Sequence, residues 1–271
     1  MIRNLIKHEA LRTGPRAGTI LGIFTLGMLS CGLFARFNFP VISTIIGWVG
    51  STAIVLAWPV INVFLAIDFW RTSWGRAGYL THSLPVKGSM ILWVRLLWGA
   101  VVQVIAFAWT LLALFGNMYL SDPSFQGGNL PINGTFLLMS IGLLFLGWCW
   151  LIQFYFAVTI GNDPRFAGLG AAGPVITWVA VFMVSAVIAG VAIVLLPLGL
   201  DFTGGEVSLR VVDIWTLAAR YQLENVSGGI PANMNGNITV MPFGWIFVPV
   251  VLVAACIPWM VHNWNRRISL R

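Results

Sequence analysis

The chain has 271 residues, of which 59% are hydrophobic and only 8% are charged, and its mean hydropathy is +0.90. A soluble protein of this length cannot bury so much apolar surface, so the composition excludes a soluble globular domain and indicates an integral membrane protein. The net charge of +7 is explained by membrane topology and anionic lipid headgroups, and it requires no nucleic-acid partner.

The residues at the N-terminus, 1–16, predict a short helix that lies in the membrane interface. Ile2, Leu5 and Ile6 share one helical face, and the basic residues lie elsewhere on the helix. Gly14 and Pro15 predict a turn from this helix into the first membrane span. The alternative is an ordinary basic flank that only sets the topology.

Six segments are apolar and long enough to cross a bilayer, which takes about 20 residues per helix. They lie at 17–35, 41–67, 90–114, 135–160, 174–198 and 242–262. The regular alternation of a membrane β-barrel is missing from the sequence. The prediction is therefore an all-α, polytopic protein whose six transmembrane helices form one transmembrane domain, 1–271.

The basic residues fix the predicted orientation, because Lys and Arg accumulate on the cytoplasmic side of a membrane. With the N-terminus inside, twelve of the fifteen Lys and Arg residues are cytoplasmic, and only Arg36, Arg210 and Arg220 are outside. Both termini and the loop 69–89 are thus predicted to be cytoplasmic, and the loop 199–240 to be extracytoplasmic.

The cytoplasmic loop 69–89 is too short for a domain and too apolar for a solvated turn. Its large side chains need cover from lipid headgroups or from a partner protein, and the sequence leaves both open. Gly75 and Gly78 permit tight turns, and Leu84 followed by Pro85 ends any short helix.

Charged side chains are scarce within the predicted spans. Asp68 follows the second span, and Arg95 is close enough to the start of the third to extend to the membrane surface. The polar residues inside are neutral, including Asn62, Gln103 and Gln153. Such residues more often form hydrogen bonds between helices than contacts to a substrate. Without an ionisable relay, any transport would draw its energy from elsewhere.

No pattern in the sequence indicates an enzyme, a cofactor site or a metal site. The three histidines are scattered, and the three cysteines fall within spans without the spacing of metal ligands. Phosphate-binding loops and nucleophile motifs are missing as well. Outside the membrane, residues 207–222, "VSLRVVDIWTLAARYQ", predict one amphipathic helix, followed by Gly- and Asn-rich turns.

One stretch resembles a known family. The stretch "GYLTHSLPVKGSMILWVRLLWG", residues 78–99, resembles the segment between the second and third spans of the type 2 permease subunits of ATP-binding-cassette exporters. The matching positions are Tyr79, Leu80, Leu84, Pro85, Ser89 and Arg95. The stretch "FAVTIGN", 156–162, is similar to the end of their fourth span. One position departs from the family, because Arg76 and Ala77 stand where relatives often have an acidic residue.

The resemblance implies a permease subunit that forms half of a dimeric membrane domain with a second permease subunit. Two separate ATPase subunits, which hold ATP and Mg²⁺, would bind below this domain. The helix at 1–16 would be the elbow helix, and the loop 69–89 would supply the coupling helix. The residues expected to couple to the ATPase are Trp74, Arg76, Tyr79, Leu80, His82, Leu84 and Pro85. The residues expected along the translocation path are Asn62, Gln103 and Gln153.

The expected substrate is an amphiphile, a peptide or a lipid, and the expected location is a prokaryotic cell membrane. Two alternatives remain at this stage. One is a sensor or immunity subunit that uses the same fold and ATPase partner without transporting. The other is an intramembrane enzyme, against which stands the lack of a catalytic constellation within the spans.

The topology is directly testable with reporter fusions. A reporter after Arg271 or near Ser83 is expected to give a cytoplasmic signal, and one within 228–236 an extracytoplasmic signal, because basic residues are retained inside. A cytoplasmic signal from 228–236 would contradict the six-span topology.

Overall fold

The computed structural model describes residues 2–35, 40–75, 78, 86–121, 134–196, 198–201, 208–211, 240–242 and 244–267. Within these ranges lie six long helices: α1 Ile2–Ala35, α2 Pro40–Ser73, α3 Gly88–Ser121, α4 Gly134–Gly161, α5 Ala172–Leu195 and α6 Phe247–Arg267. All six are long and apolar enough to cross a membrane. The predicted all-α fold with six spans is confirmed.

The helices pack in two groups that share a core. The first helix packs on α2 and α3, and α4 packs on α5 and α6. Contacts of α2 with α4, and of α3 with α4 and α6, join the groups. The main core cluster lies at this junction and includes Leu92, Leu151, Ile152 and Met260. The most apolar stretch of α5 has no buried residue, which suits a helix whose sides face lipid.

The N-terminal segment is continuous with the helix of the first span, so the predicted turn at Gly14 and Pro15 is wrong. A single helix runs from Ile2 to Ala35 with Pro15 inside it. The physical reason is tertiary, because Arg12 and Thr13 contact α2 and α3 and hold the first turns in line with the rest. Polar neighbours of this kind let a membrane helix tolerate proline.

The loop between α2 and α3 is shorter than predicted. The second helix continues through Ser73, and α3 begins at Gly88, so both ends of the predicted loop 69–89 are helical. The second helix extends because Phe69 is buried and stacks on Tyr155 of α4, which gives that turn a packing partner.

A small antiparallel sheet lies between α5 and α6 in the chain. Its strands are β1 Leu198–Asp201, β2 Ser208–Val211 and β3 Val240–Pro242, in the order β2-β1-β3. Leu200 pairs with Leu209 on one side and with Met241 on the other. The helix predicted over 207–222 is therefore wrong at its start, because residues 208–211 form a strand that pairs with β1, and its remainder lies outside the described residues.

The fourth and fifth helices approach so closely at one point that only glycine fits. A Cβ atom on Gly173 would lie under 3.0 Å from the carbonyl oxygen of Gly161, which is backbone and cannot rotate away. The first turn of α5 therefore lies directly against the last turn of α4.

Replacing Gly173 with Ala is therefore expected to destabilise the protein by about 1–3 kcal/mol through overpacking. The measurement is the midpoint of thermal unfolding in lipid nanodiscs. Gly190→Ala on the same helix is the matched control, because nothing lies within 4 Å of its Cβ position. Equal midpoints for the two variants would show that the contact between α4 and α5 does not restrict Gly173.

Candidate functional site: a charged cluster at the loop end of the first three helices

Four charged side chains from three helices meet at the end of the bundle from which the loop between α2 and α3 leaves. Glu9 and Arg12 lie one turn apart on α1 and form an ion pair. Arg12 Nη1 also donates to Asp68 Oδ1 of α2 at 2.6 Å. Arg95 Nε of α3 lies 3.4 Å from Glu9 Oε1. We call these four residues the charged cluster.

Arg95 is the most enclosed member of the charged cluster, with only 6% of its surface exposed. Its Nη1 donates to Ser73 Oγ at the end of α2. Its Cζ lies 5.4 Å from the centroid of the Phe69 ring, within the range of a cation–π contact. The Arg95 side chain reaches back to the last residue of α2, the direction in which it was predicted to extend, but Glu9, Ser73 and Phe69 enclose it within the protein. Its extension to the membrane surface stays a prediction.

The charges of this cluster depend on one another. Taking a carboxylate or a guanidinium out of water costs several kcal/mol, which only close and well-directed partners offset. Removing one partner of such a pair typically costs about 3–5 kcal/mol, since the other charge stays behind uncompensated. Arg16 contributes less, because its side chain is 64% exposed and lies 3.7 Å from Asp68.

Neutral contacts surround the charges and extend the site to α4. Trp98 Nε1 donates to Thr13 Oγ1 at 2.6 Å, which ties α3 to α1. Phe69 stacks on Tyr155 of α4 with 4.2 Å between the ring centroids and 10° between the planes. A small pocket is lined by the charged cluster and by Thr13, Leu65, Phe69, Trp98 and Tyr155. Because its charged groups pair with one another, this arrangement is suited to holding helices together.

Of the residues predicted to couple to an ATPase, only Trp74 is described. It follows the last residue of α2 and packs edge-on against Trp264 of α6, with 6.3 Å between ring centroids. The others lie outside the described residues, and their coupling role stays a prediction: Arg76, Tyr79, Leu80, His82, Leu84 and Pro85.

The neutral polar residues predicted along the path are all buried. Gln103 Nε2 donates to Asn62 Oδ1, and Gln103 Oε1 accepts from Trp58 Nε1 at 2.5 Å. Asn62 and Gln103 thus form the hydrogen bond between helices that their type favours. Gln153 lies on α4, and among the described residues no hydrogen bond joins it to that pair. A role in translocation stays a prediction for all three.

Sequence reasoning did not find the charged cluster. It assigned Glu9 and Arg12 to a separate interfacial segment, and it placed Asp68 and Arg95 at span ends. A signal was present, since Glu9 and Asp68 are two of only eight acidic residues, and each lies near predicted spans with basic neighbours. Such carboxylates are conspicuous in a membrane chain and call for a named partner.

Among the residues that the structure describes, no group of three or more His, Cys, Asp or Glu side chains is placed to hold a metal ion. Comparison with known proteins adds no assignment, because no family model, no curated protein and no solved structure matches the chain.

The mutual dependence of Glu9 and Arg95 is testable with a double-mutant cycle. Glu9→Gln is expected to lower stability by about 3 kcal/mol, because it leaves the enclosed Arg95 without its carboxylate. The double variant Glu9→Gln with Arg95→Met should lose about 1–3 kcal/mol less stability than the sum of the losses in the two single variants. Thermal unfolding in nanodiscs gives the comparison.

The control for this cycle is Arg3→Met, on an exposed turn of α1, which should leave the unfolding midpoint unchanged. Strict additivity of Glu9→Gln and Arg95→Met would mean that the two side chains do not interact, and that the charged cluster is not a unit.

Proposed function

We propose that this chain is the membrane-spanning subunit of an ATP-driven exporter whose ATPase subunits are separate chains. With a second permease subunit, the same or homologous, it forms the path for an amphiphilic, peptide or lipid-like substrate across a prokaryotic cell membrane. ATP and Mg²⁺ bind to the ATPase partner, and this chain carries out no hydrolysis itself. The resemblance of residues 78–99 to exporter permeases is the sequence basis of the proposal.

The structural observation that carries the proposal is how the helices on either side of the loop between α2 and α3 are joined. Ser73 ends α2 and accepts from Arg95 of α3, and Arg95 in turn contacts Glu9 of α1. A push on the loop between α2 and α3 would therefore act on three helices at once. Transmission of force from an ATPase to a membrane domain requires such a joined end.

The distribution of charge favours an external energy source. Within the described spans, Asp, Glu, Lys and Arg lie in the charged cluster, beside it at Arg16, or nearer to helix ends. The middle of α2 and α3 holds the neutral Asn62 and Gln103. Carriers driven by ion gradients usually place ionisable groups near the bilayer centre. ATP hydrolysis by a partner fits described spans whose middle lacks such groups.

The first test is association with the ATPase. The double variant Tyr79→Ala with Leu84→Ala should lose most of the ATP-binding-cassette ATPase that co-purifies with the wild type, while it still inserts into the membrane. Truncating large side chains at an interface centre typically costs about 2 kcal/mol or more each, or at least about 30-fold in affinity. ATPase recovery per permease is measured by quantitative immunoblot, and hydrolysis is assayed in the purified complex.

The matched control is Tyr119→Ala with Leu112→Ala, which truncates the same residue types at exposed positions on α3. Equal ATPase recovery from the two double variants would contradict the coupling role of the loop. If the ATPase binds but vesicles that contain the complex show no ATP-dependent substrate movement, the alternative of a non-transporting sensor or immunity subunit replaces the exporter.

A further inference from the structure

Both ends of the loop between α2 and α3 meet the same turn of α6. At the first end, Trp74 packs edge-on against Trp264, with 6.3 Å between ring centroids. At the second end, the backbone N–H of Ser89 donates to Asn265 Oδ1 at 3.3 Å. Trp264 and Asn265 are adjacent in the last turns of α6, and we call this pair the α6 clamp.

The contact at Ser89 satisfies a group that a helix leaves unpaired. The first four N–H groups of an α-helix have no partner within the helix, and α3 begins at Gly88. A side-chain oxygen that accepts from such an N–H acts as an N-terminal cap. Here the cap comes from another helix, 176 residues further along the chain. Asn265 therefore binds the start of α3 to the end of α6.

The backbone geometry at Gly88 supports the same contact independently. A Cβ atom at this position would lie 2.8 Å from the backbone oxygen of Trp264. A larger residue would thus push α3 and α6 apart. Glycine lets the first turn of α3 sit directly against the backbone of α6.

The α6 clamp is itself anchored on both groups of helices. Trp264 is 1% exposed, and its ring centroid lies 5.9 Å from that of Phe69, which stacks on Tyr155 of α4. The sixth helix also packs on α4 and α5. A displacement of either end of the loop would therefore act on α6 as well as on the charged cluster.

We infer that the α6 clamp is a positioning element that transmits movement of the loop between α2 and α3 to α6, and through it to α4 and α5. The charged cluster links the loop to α1, α2 and α3, and the α6 clamp links it to the other group. The source of the movement rests on the proposed function, whereas the mechanical link does not.

The link is tested first on the full chain alone in nanodiscs, by hydrogen exchange of peptides that cover 86–92. Asn265→Ala should raise exchange at the start of α3 about fivefold, the usual effect of losing a helix cap. Asn263→Ala, two residues away on the same helix, should leave it unchanged. Gly88→Ala should raise exchange over 260–267, whereas Gly134→Ala, at the open start of α4, should not.

The second test adds the co-purified ATPase and a non-hydrolysable ATP analogue. In the wild type and in Asn263→Ala, nucleotide should change exchange at 86–92 and at 260–267 together. In Asn265→Ala the change should persist at 86–92 and be reduced at 260–267, where Trp264 keeps its contacts with Trp74 and Gly88. A change of wild-type size at both sites in Asn265→Ala would overturn the inference.

The two proposals fail in different ways. If no ATPase binds or nucleotide changes nothing in the wild type, the proposed function fails, and the comparison of Asn265→Ala with Asn263→Ala on the chain alone decides the link. If the ATPase binds and Asn265→Ala matches Asn263→Ala in both tests, the role inferred for the α6 clamp is wrong and the proposed function stands.

Discussion

The enclosure of the Arg95 guanidinium is the constraint on which the arrangement of the first three helices depends. A cation with 6% exposure needs a carboxylate and hydrogen-bond acceptors at close range, and no single helix of this chain supplies them. Glu9 comes from α1 and Ser73 from α2, while Arg12 contacts both Glu9 and Asp68, so that two cations balance two carboxylates. Helices in lipid lack a strong hydrophobic reason to associate in one particular register. The charged cluster provides that reason, because any other register would leave a buried charge uncompensated.

Aromatic and backbone contacts join the charged cluster to the rest of the bundle. Phe69 lies under Arg95, stacks on Tyr155 of α4 and approaches Trp264 of α6. One aromatic side chain thus adjoins the charged cluster, the second group of helices and the α6 clamp. The glycine contact between α4 and α5 carries the connection to α5, since Gly173 abuts the backbone of Gly161. Rigid packing at this end of the bundle is therefore continuous across both groups.

Hydropathy was sufficient to predict the number and order of the spans, because the length of an apolar run is set by the bilayer and can be read locally. Features that depend on tertiary partners were predicted wrongly. Gly14 and Pro15 signal a turn locally, yet the contacts of Arg12 and Thr13 with distant helices keep α1 continuous. The sequence position of Arg95 suggests a side chain that extends towards the helix end, and its enclosure by Glu9 and Ser73 depends on helices that are distant in the sequence. Asn62 and Gln103 form a hydrogen bond between helices, the more frequent use expected of neutral polar residues in a span, although their pairing with each other was not predicted.

The two kinds of polar contact occupy different depths, and they differ in what they permit. Neutral hydrogen bonds between membrane helices are worth only about 0.6 kcal/mol on average, so the contact of Asn62 with Gln103 can be exchanged for another at little cost. Separating the partners of the charged cluster costs more free energy, because each partner would remain buried without its counter-charge. A bundle built in this way is stiff at the end where the loop between α2 and α3 leaves, and adjustable near its middle. Movement that enters at the stiff end would be passed on as rigid-body displacement of helices, and it would be absorbed where side-chain partners can change. That division is what a permease worked by an external ATPase needs, since its energy enters at one end and its substrate crosses in the middle.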